Sequence, residues 1–199
     1  MESLKKFFSI IADPNAYLSL VYQLFAFPLG LFYFVFLITG ILVGIGLIII
    51  WIGIPILLLM MLAWYGFSVF EKQLSIYVLK AEIPDIKKPE NTKMSIWSQF
   101  KKYLSDPVTW KSLAFLFLRF PLGVLSFAIT VSLMAVTVSF ISAPFTYNYY
   151  YMEFGFFRVE TLGLAILVAI AGILIGFLSL HVFKFMGLFY KRLSEVMLG

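Results

Sequence analysis

Long stretches without charge dominate the pattern of apolar and polar positions. No charged residue occurs from Tyr17 to Phe70. A second apolar stretch ends near Ala143, and a third runs from Leu162 to about Phe183. A helix needs roughly 20 apolar residues to cross the hydrocarbon core of a bilayer. The first stretch has room for two such spans, and each later stretch has room for one. The pattern therefore predicts four transmembrane helices.

The turns between these spans are also visible in the pattern. The first stretch is expected to turn around in "ITGILVGIGL", where Gly40, Gly44 and Gly46 permit a tight bend. Charge returns at Glu71, and the segment from there to Lys111 carries eight lysines against five acids. We expect this segment to be a solvated linker flanked by helical ends. No span is expected to contain an aspartate or a glutamate.

Composition fixes the class of protein that this pattern describes. The 199 residues are 62% hydrophobic and 13% charged, and the mean hydropathy is +1.01. Soluble domains are about 45–50% apolar and about 25% charged. The sequence therefore predicts an all-α integral membrane protein, with residues 1–199 forming one membrane domain. It has no cysteine and one histidine, so we expect no metal site, and no motif indicates a cofactor.

Basic residues are distributed unevenly around the predicted spans. Lysines fill the linker, and further basic residues precede the first span or follow the fourth: Lys5, Lys6, Lys184, Lys191 and Arg192. Arg158 is the one basic residue between spans three and four. Cytoplasmic loops of membrane proteins carry the excess of lysine and arginine. We therefore expect a multi-pass protein of the cell membrane with both termini and the linker in the cytoplasm.

The chain also contains an internal repeat. "DPNAYLSLVYQLFAFPLGLFYF" begins at Asp13 and "DPVTWKSLAFLFLRFPLGVLSF" begins at Asp106, 93 residues later. "EKQLSIYVLK" from Glu71 resembles "YKRLSEVMLG" from Tyr190, 119 residues later. We interpret residues 13–80 as repeat one, 81–105 as the cytoplasmic linker and 106–199 as repeat two. The larger second offset places the additional residues in an outer loop, 143–161.

Each predicted repeat contains two spans, so both repeats begin and end on the same side of the membrane. Inverted repeats require an odd number of spans in each half. We therefore expect two parallel-repeat hairpins related by an axis along the membrane normal.

The repeated "FPLG" predicts an elbow in each half. Pro28 and Pro121 remove a helical hydrogen bond and are expected to bend the chain, while Gly30 and Gly123 allow close helix packing. Residues 14–27 and 107–120 are then helical approaches along the inner interface, although the sequence also allows them to belong to the spans.

Arg119 is the charged residue of these elbows. On this interpretation it lies near the inner headgroups, where it can extend to a phosphate or meet a partner's acid. An ordinary anchoring arginine is the simpler interpretation, and coupling of the bundle to a cytoplasmic partner is the functional one.

The outer loop "APFTYNYYYMEFGFFRVE" is where an external stimulus would enter. Tyrosine favours the membrane–water boundary, so an aromatic belt explains much of its composition. The alternative is a lid or cage for a lipid or amphipathic ligand. Its candidate ligand residues are Tyr147, Tyr150, Glu153, Arg158 and Glu160.

Nearly the whole chain resembles a known family. "DPVTWKSLAFLFLRFPLG", "TGILVGIGLIIIWIGIPILLL", Pro144 at the end of span three and "VETLGLAILVAIAGILIG" are similar to the putative sensor domain found at the N-terminus of bacterial histidine kinases and as stand-alone archaeal proteins. The resemblance implies a sensing role and supplies no catalytic residues. The chain stops at Gly199 without a kinase, so we expect a detached sensor module or a truncated kinase sensor.

The sequence therefore favours a non-enzymatic membrane sensor that relays a membrane or outer-face stimulus to a cytoplasmic partner. That partner would be a histidine kinase or another regulator, with membrane lipid as the other expected contact. A small lipid-binding or transport protein is the second hypothesis, and a structural subunit of a membrane assembly is the third. A homo-oligomer fits each of them, and nothing indicates nucleic acid.

Overall fold

A computed structural model describes residues 9–83, 105, 107–147, 153–154, 157–159 and 161–199 of the chain. Four long helices make up most of this part: α1 (Pro14–Gly46), α2 (Gly53–Leu79), α3 (Pro107–Thr146) and α4 (Leu162–Leu198). All four are long and apolar enough to cross a membrane. The prediction of an all-α, four-helix membrane protein is confirmed.

Short elements complete the described structure. Two 3-10 turns, Ser9–Ala12 and Ile48–Ile50, flank α1. Two strands, β1 (Glu153–Phe154) and β2 (Phe157–Arg158), pair antiparallel between α3 and α4.

The helices begin where local chemistry predicts. Asp13 caps α1 by accepting a hydrogen bond from the backbone N–H of Asn15 at 3.0 Å, and Pro14 follows it. Thr161 caps α4 in the same way through the N–H of Leu164. Side-chain caps satisfy N–H groups that have no partner inside the helix, and proline is well suited to the first turn. Helix α3 likewise begins at Pro107.

The first turn lies later in the chain than predicted. Helix α1 continues through Gly40 and Gly44 and ends at Gly46. A β-carbon on Gly40 would contact the side chain of Met60, and one on Gly44 would contact Leu57. These two glycines therefore allow α1 and α2 to pack closely. The chain reverses direction after Gly46, around the 3-10 turn Ile48–Ile50.

Each pair of consecutive helices forms an antiparallel hairpin. In the first, Tyr33 packs on Phe67 with ring centroids 5.0 Å apart. In the second, a β-carbon on Gly172 of α4 would meet Phe140 of α3. Many large apolar side chains point outward from both hairpins, as Phe25, Leu62 and Leu167 do at 57–71% exposure. Such an exposed apolar surface suits lipid rather than water.

The two hairpins cross where α1 meets α3, and here the structure differs from the predicted arrangement. Three of the contacts between the two helices are those of Gln23 with Thr130, Phe27 with Phe127, and Phe34 with Phe120. From one of these contacts to the next, the residue number increases along α1 and decreases along α3. The two helices therefore run antiparallel across their contact. Parallel repeats would instead place each residue level with its equivalent 93 positions later. The predicted parallel arrangement is wrong at this crossing.

The predicted interfacial approaches are parts of continuous helices. Residues 14–27 and 107–120 belong to α1 and α3, with Pro28 and Pro121 inside those helices. Each approach packs on the opposite hairpin: Asp13 pairs with Lys184 of α4, and Trp110 of α3 lies 5.9 Å from Trp64 of α2, measured between ring centroids. The two approaches therefore lie within the bundle, where their side chains contact the opposite hairpin.

Candidate functional site

A buried ion pair lies at the centre of the bundle. Arg119 of α3 and Glu71 of α2 have fully buried side chains, and the Nη2 and Oε2 atoms are 3.3 Å apart. Two predictions are therefore wrong. Arg119 is enclosed among the helices rather than extended to the headgroups, and Glu71 is an acid inside a helix that spans. Helix α2 continues to Leu79 and so forms one of the helical ends expected beside the linker.

Tyrosines from two other helices complete the surroundings of Arg119. Its Nη1 donates a hydrogen bond to the hydroxyl of Tyr22 on α1. Its guanidinium carbon lies 4.3 Å from the ring centroid of Tyr22 and 5.4 Å from that of Tyr190 on α4. Stacking of a desolvated guanidinium on aromatic rings is worth about 2 kcal/mol. One arginine side chain therefore contacts all three other helices.

Hydroxyl groups extend this site across the bundle. Ser75 of α2 donates to Ser194 of α4 at 2.9 Å, and the Tyr22 hydroxyl lies 3.4 Å from the hydroxyl of Ser75. The hydroxyl of Tyr190 lies 2.6 Å from that of Ser126 on α3. Buried polar groups that bond to each other specify one arrangement of the helices around them.

A second polar contact lies at the same crossing. The Nε2 of Gln23 donates to the carbonyl oxygen of Phe183 at 2.8 Å, and its Oε1 accepts from Thr130 at 2.8 Å. Gln23 is fully buried. It therefore fixes α1 against both helices of the second hairpin.

The elbow glycines lie at the crossing of α1 and α3. A β-carbon on Gly30 would come within 2.7 Å of the backbone oxygen of Arg119, and one on Gly123 within 2.6 Å of the backbone oxygen of Ala26. Ala26 and Arg119 are equivalent positions of the predicted repeat, as are Gly30 and Gly123. The contacts are therefore reciprocal, which supports the repeat, and the close-packing interpretation of both glycines is confirmed.

Sequence reasoning missed Glu71, Tyr22 and Tyr190, although a signal for them existed. Arg119 occupies the repeat position held by Ala26, and Glu71 occupies the position held by Tyr190. Among the buried positions of these blocks, each half thus carries one charge that the other lacks, and the two charges are opposite. Two complementary exceptions to a repeat indicate a pair that meets in space.

The structure brings together few of the outer-loop candidates. Tyr147 packs beside the buried cluster of Ala143, Val159, Ala165 and Val168. The backbones of Glu153 and Arg158 are strand partners. Tyr150 and Glu160 lie outside the described residues.

A partly buried ion pair joins the start of α1 to α4. The Nζ of Lys184 donates to the Oδ2 of Asp13 at 2.6 Å. This hydrogen bond, with a second from the backbone N–H of Asn15, holds the pKa of Asp13 below its ordinary value. The pair stabilises the packing of the N-terminal approach while Asp13 is ionised.

The arrangement offers charge and shape but little for catalysis. Within the described ranges, no group of three or more histidine, aspartate or glutamate side chains could hold a metal ion. The buried ion pair is enclosed and has no access for a substrate. What the site can do is hold four helices in one arrangement through a few costly polar contacts.

The family of the chain follows from comparison with known proteins. A family model described as "Putative sensor" matches residues 22–198, which include every residue of the buried site. The chain therefore belongs to this family. No curated protein and no solved structure matches it.

Proposed function

We propose that this protein is a non-enzymatic membrane sensor whose helical bundle relays a membrane or outer-face stimulus to a cytoplasmic partner. The observation that carries the proposal is the Arg119–Glu71 pair, which joins both hairpins at their crossing. Ionisable residues inside a membrane bundle are costly and mark function by default. A buried ion pair also contributes little net stability against an apolar replacement, so stability alone does not account for it.

A relay needs two arrangements of the bundle that differ in their affinity for the stimulus. A contact that requires one precise geometry forms in one arrangement and is lost in the other. If the outer loop, residues 143–161, shifts α3 against α4, Arg119 moves relative to Glu71 and Tyr22. The ends of α2 and α4 then separate or rotate about the Ser75–Ser194 contact.

The helix ends are well placed to report such a change. The backbone N–H of Glu82, just after α2, donates to Glu195 of α4 at 3.0 Å, so the linker begins beside the C-terminal end of α4. The start of α1 joins them through Asp13 and Lys184. Their shared position supports the expectation that both termini and the linker lie together in the cytoplasm.

Partner capture tests the proposal. The tagged full chain is cross-linked gently in native cells, purified from their membranes and compared with an unrelated tagged membrane protein. We expect enrichment of a histidine kinase or another cytoplasmic regulator. Recovery of lipid without any enriched protein would contradict the relay.

A second candidate function is lipid binding or transport, and one observation favours it. An apolar cavity of about 360 Å³ lies between the start of α1 and the hairpin of α3 and α4, with Tyr17, Met134 and Phe177 among its lining residues. Purified protein in liposomes tests this function. Sustained flux of a lipid or solute by the protein alone would favour transport over sensing.

A further inference from the structure

A small basic pocket lies where the start of α1, the end of α2 and the last turns of α4 meet. Its volume is about 160 Å³. Since one water occupies roughly 30 Å³ in the liquid, this volume accommodates a small anion with some of its hydration. Among the residues that line it are Asn15, Ser19, Lys80, Lys184, Gly187 and Lys191.

Positive charge exceeds negative charge among the residues that line this pocket. Of its three lysines, Lys184 is paired with Asp13 at 2.6 Å. Lys191 lies 3.8 Å from Glu195, a long contact that leaves most of its donors for another anion. Lys80 is exposed at the end of α2, where its backbone turns with φ 53. The described lining therefore contains three ammonium groups and no carboxylate, while the acids Asp13, Glu82 and Glu195 lie beside it.

We propose that the basic pocket binds a phosphate group. Lys80 and Lys191 would supply the charge, and the side chains of Asn15 and Ser19 would supply neutral hydrogen-bond donors. Lysine binds phosphate as a compact charge, and basic pockets between transmembrane helices accept anionic headgroups. The phosphate belongs either to an anionic membrane lipid or to a soluble phosphorylated compound.

The pocket lies close to residues that contact the buried site. Ser19 packs against Gly187, where an added β-carbon would come within 2.0 Å of the serine oxygen. One turn further along α1 is Tyr22, and Lys191 directly follows Tyr190; both tyrosines contact Arg119. An anion that draws Lys80 and Lys191 together would therefore press α1, α2 and α4 into the arrangement that encloses the ion pair. The binding site itself does not depend on the proposed relay.

The test compares two double variants of the full chain that lose the same charge. Lys80→Gln/Lys191→Gln removes two of the three lysines of the pocket and leaves the Lys184–Asp13 pair intact. Lys111→Gln/Arg192→Gln removes two exposed charges outside the lining and is the control. Each protein, purified in detergent micelles and checked for an unchanged melting temperature, is titrated calorimetrically. The probes are short-chain phosphatidic acid, the matching phosphatidylcholine and inorganic phosphate.

We expect saturable binding of phosphatidic acid or inorganic phosphate, and weaker binding of phosphatidylcholine. A lysine near an anionic surface contributes about fivefold to binding, so the pocket variant should lose about 25-fold in affinity while the control changes little. Tighter binding of phosphatidic acid than of inorganic phosphate identifies a lipid as the source, because the acyl chains then contribute to the affinity. Equal or tighter binding of inorganic phosphate identifies a soluble compound. Equal losses in the two variants, or no saturable binding to the wild type, would overturn the proposal.

Discussion

Arg119 shows why a side chain inside a bundle is hard to place from sequence. Its neighbours along the chain are apolar and Pro121 follows two residues later, which is also the pattern of an anchoring arginine at a membrane boundary. The partner that distinguishes the two cases is Glu71, 48 residues away on another helix. Only the complementary exceptions to the repeat connect the two positions. The apolar run was predictable, and the ion pair within it was not predicted.

A double-mutant cycle at this pair tests whether the charges depend on each other. Removing one partner of a buried pair leaves an uncompensated charge and costs about 3–5 kcal/mol, whereas replacing both with apolar residues is often neutral. We therefore expect Glu71→Met and Arg119→Met to lower the melting temperature in detergent. The double variant should melt closer to the wild type than either single variant.

The control for this cycle is Glu195→Met, which removes a half-buried carboxylate of α4 far less enclosed than Glu71. It should change the melting temperature little. Additive losses in the double variant would mean that Arg119 and Glu71 do not form a pair.

At the scale of the helix, the sequence predicted where helices begin and how long the spans are, because both depend on neighbouring residues. Asp13 with Pro14 marks the start of α1, and the apolar stretches set the four spans. The directions in which helices cross are set by contacts between distant segments. The sequence predicted close packing at Gly30 and Gly123, but not that each glycine meets the backbone of the other helix in antiparallel order.

Alanine at Gly30 tests that close approach. The new β-carbon would lie 2.7 Å from a backbone oxygen of α3, so α1 and α3 must separate. We expect Gly30→Ala to lower the melting temperature, since forced repacking of this kind costs about 1–3 kcal/mol. Thermal unfolding in detergent, followed by circular dichroism, measures the change.

Gly66→Ala is the matched control, because a β-carbon at Gly66 of α2 meets nothing within 4 Å. Alanine favours helix over glycine by about 1 kcal/mol, so this variant should be as stable as the wild type or more so. Similar behaviour of the two variants would argue against close contact at Gly30.

For the whole molecule, the direction in which α1 crosses α3 is the feature that sequence reasoning got wrong. The repeat and the number of spans in each half favoured parallel halves. That argument treats each helix as one simple crossing, yet α1 and α3 are 33 and 40 residues long and continue past their crossing to pack on the opposite hairpin. Their length makes an antiparallel contact compatible with helix ends that gather in one place.

Four phenylalanines provide a direct test of this direction. Phe34 contacts Phe120 and Phe27 contacts Phe127, whereas parallel halves would place Phe34 level with Phe127 and Phe27 level with Phe120. The chain has no cysteine, so paired cysteine substitutions give a clean background. A short bifunctional thiol reagent applied to membranes should join residues 34 and 120, and 27 and 127. Preferential joining of 34 with 127 and of 27 with 120 would restore the parallel arrangement.

The central claim is that the buried pair sets the arrangement that a cytoplasmic partner recognises. The measurement that tests it most directly is quantitative cross-linked capture of the partner from native cells by three proteins: the wild type, Glu71→Gln and the exposed control Lys111→Gln, at equal membrane abundance. We predict that Glu71→Gln changes the recovered regulator severalfold, while Lys111→Gln recovers as much as the wild type. Equal recovery by all three proteins would contradict the account.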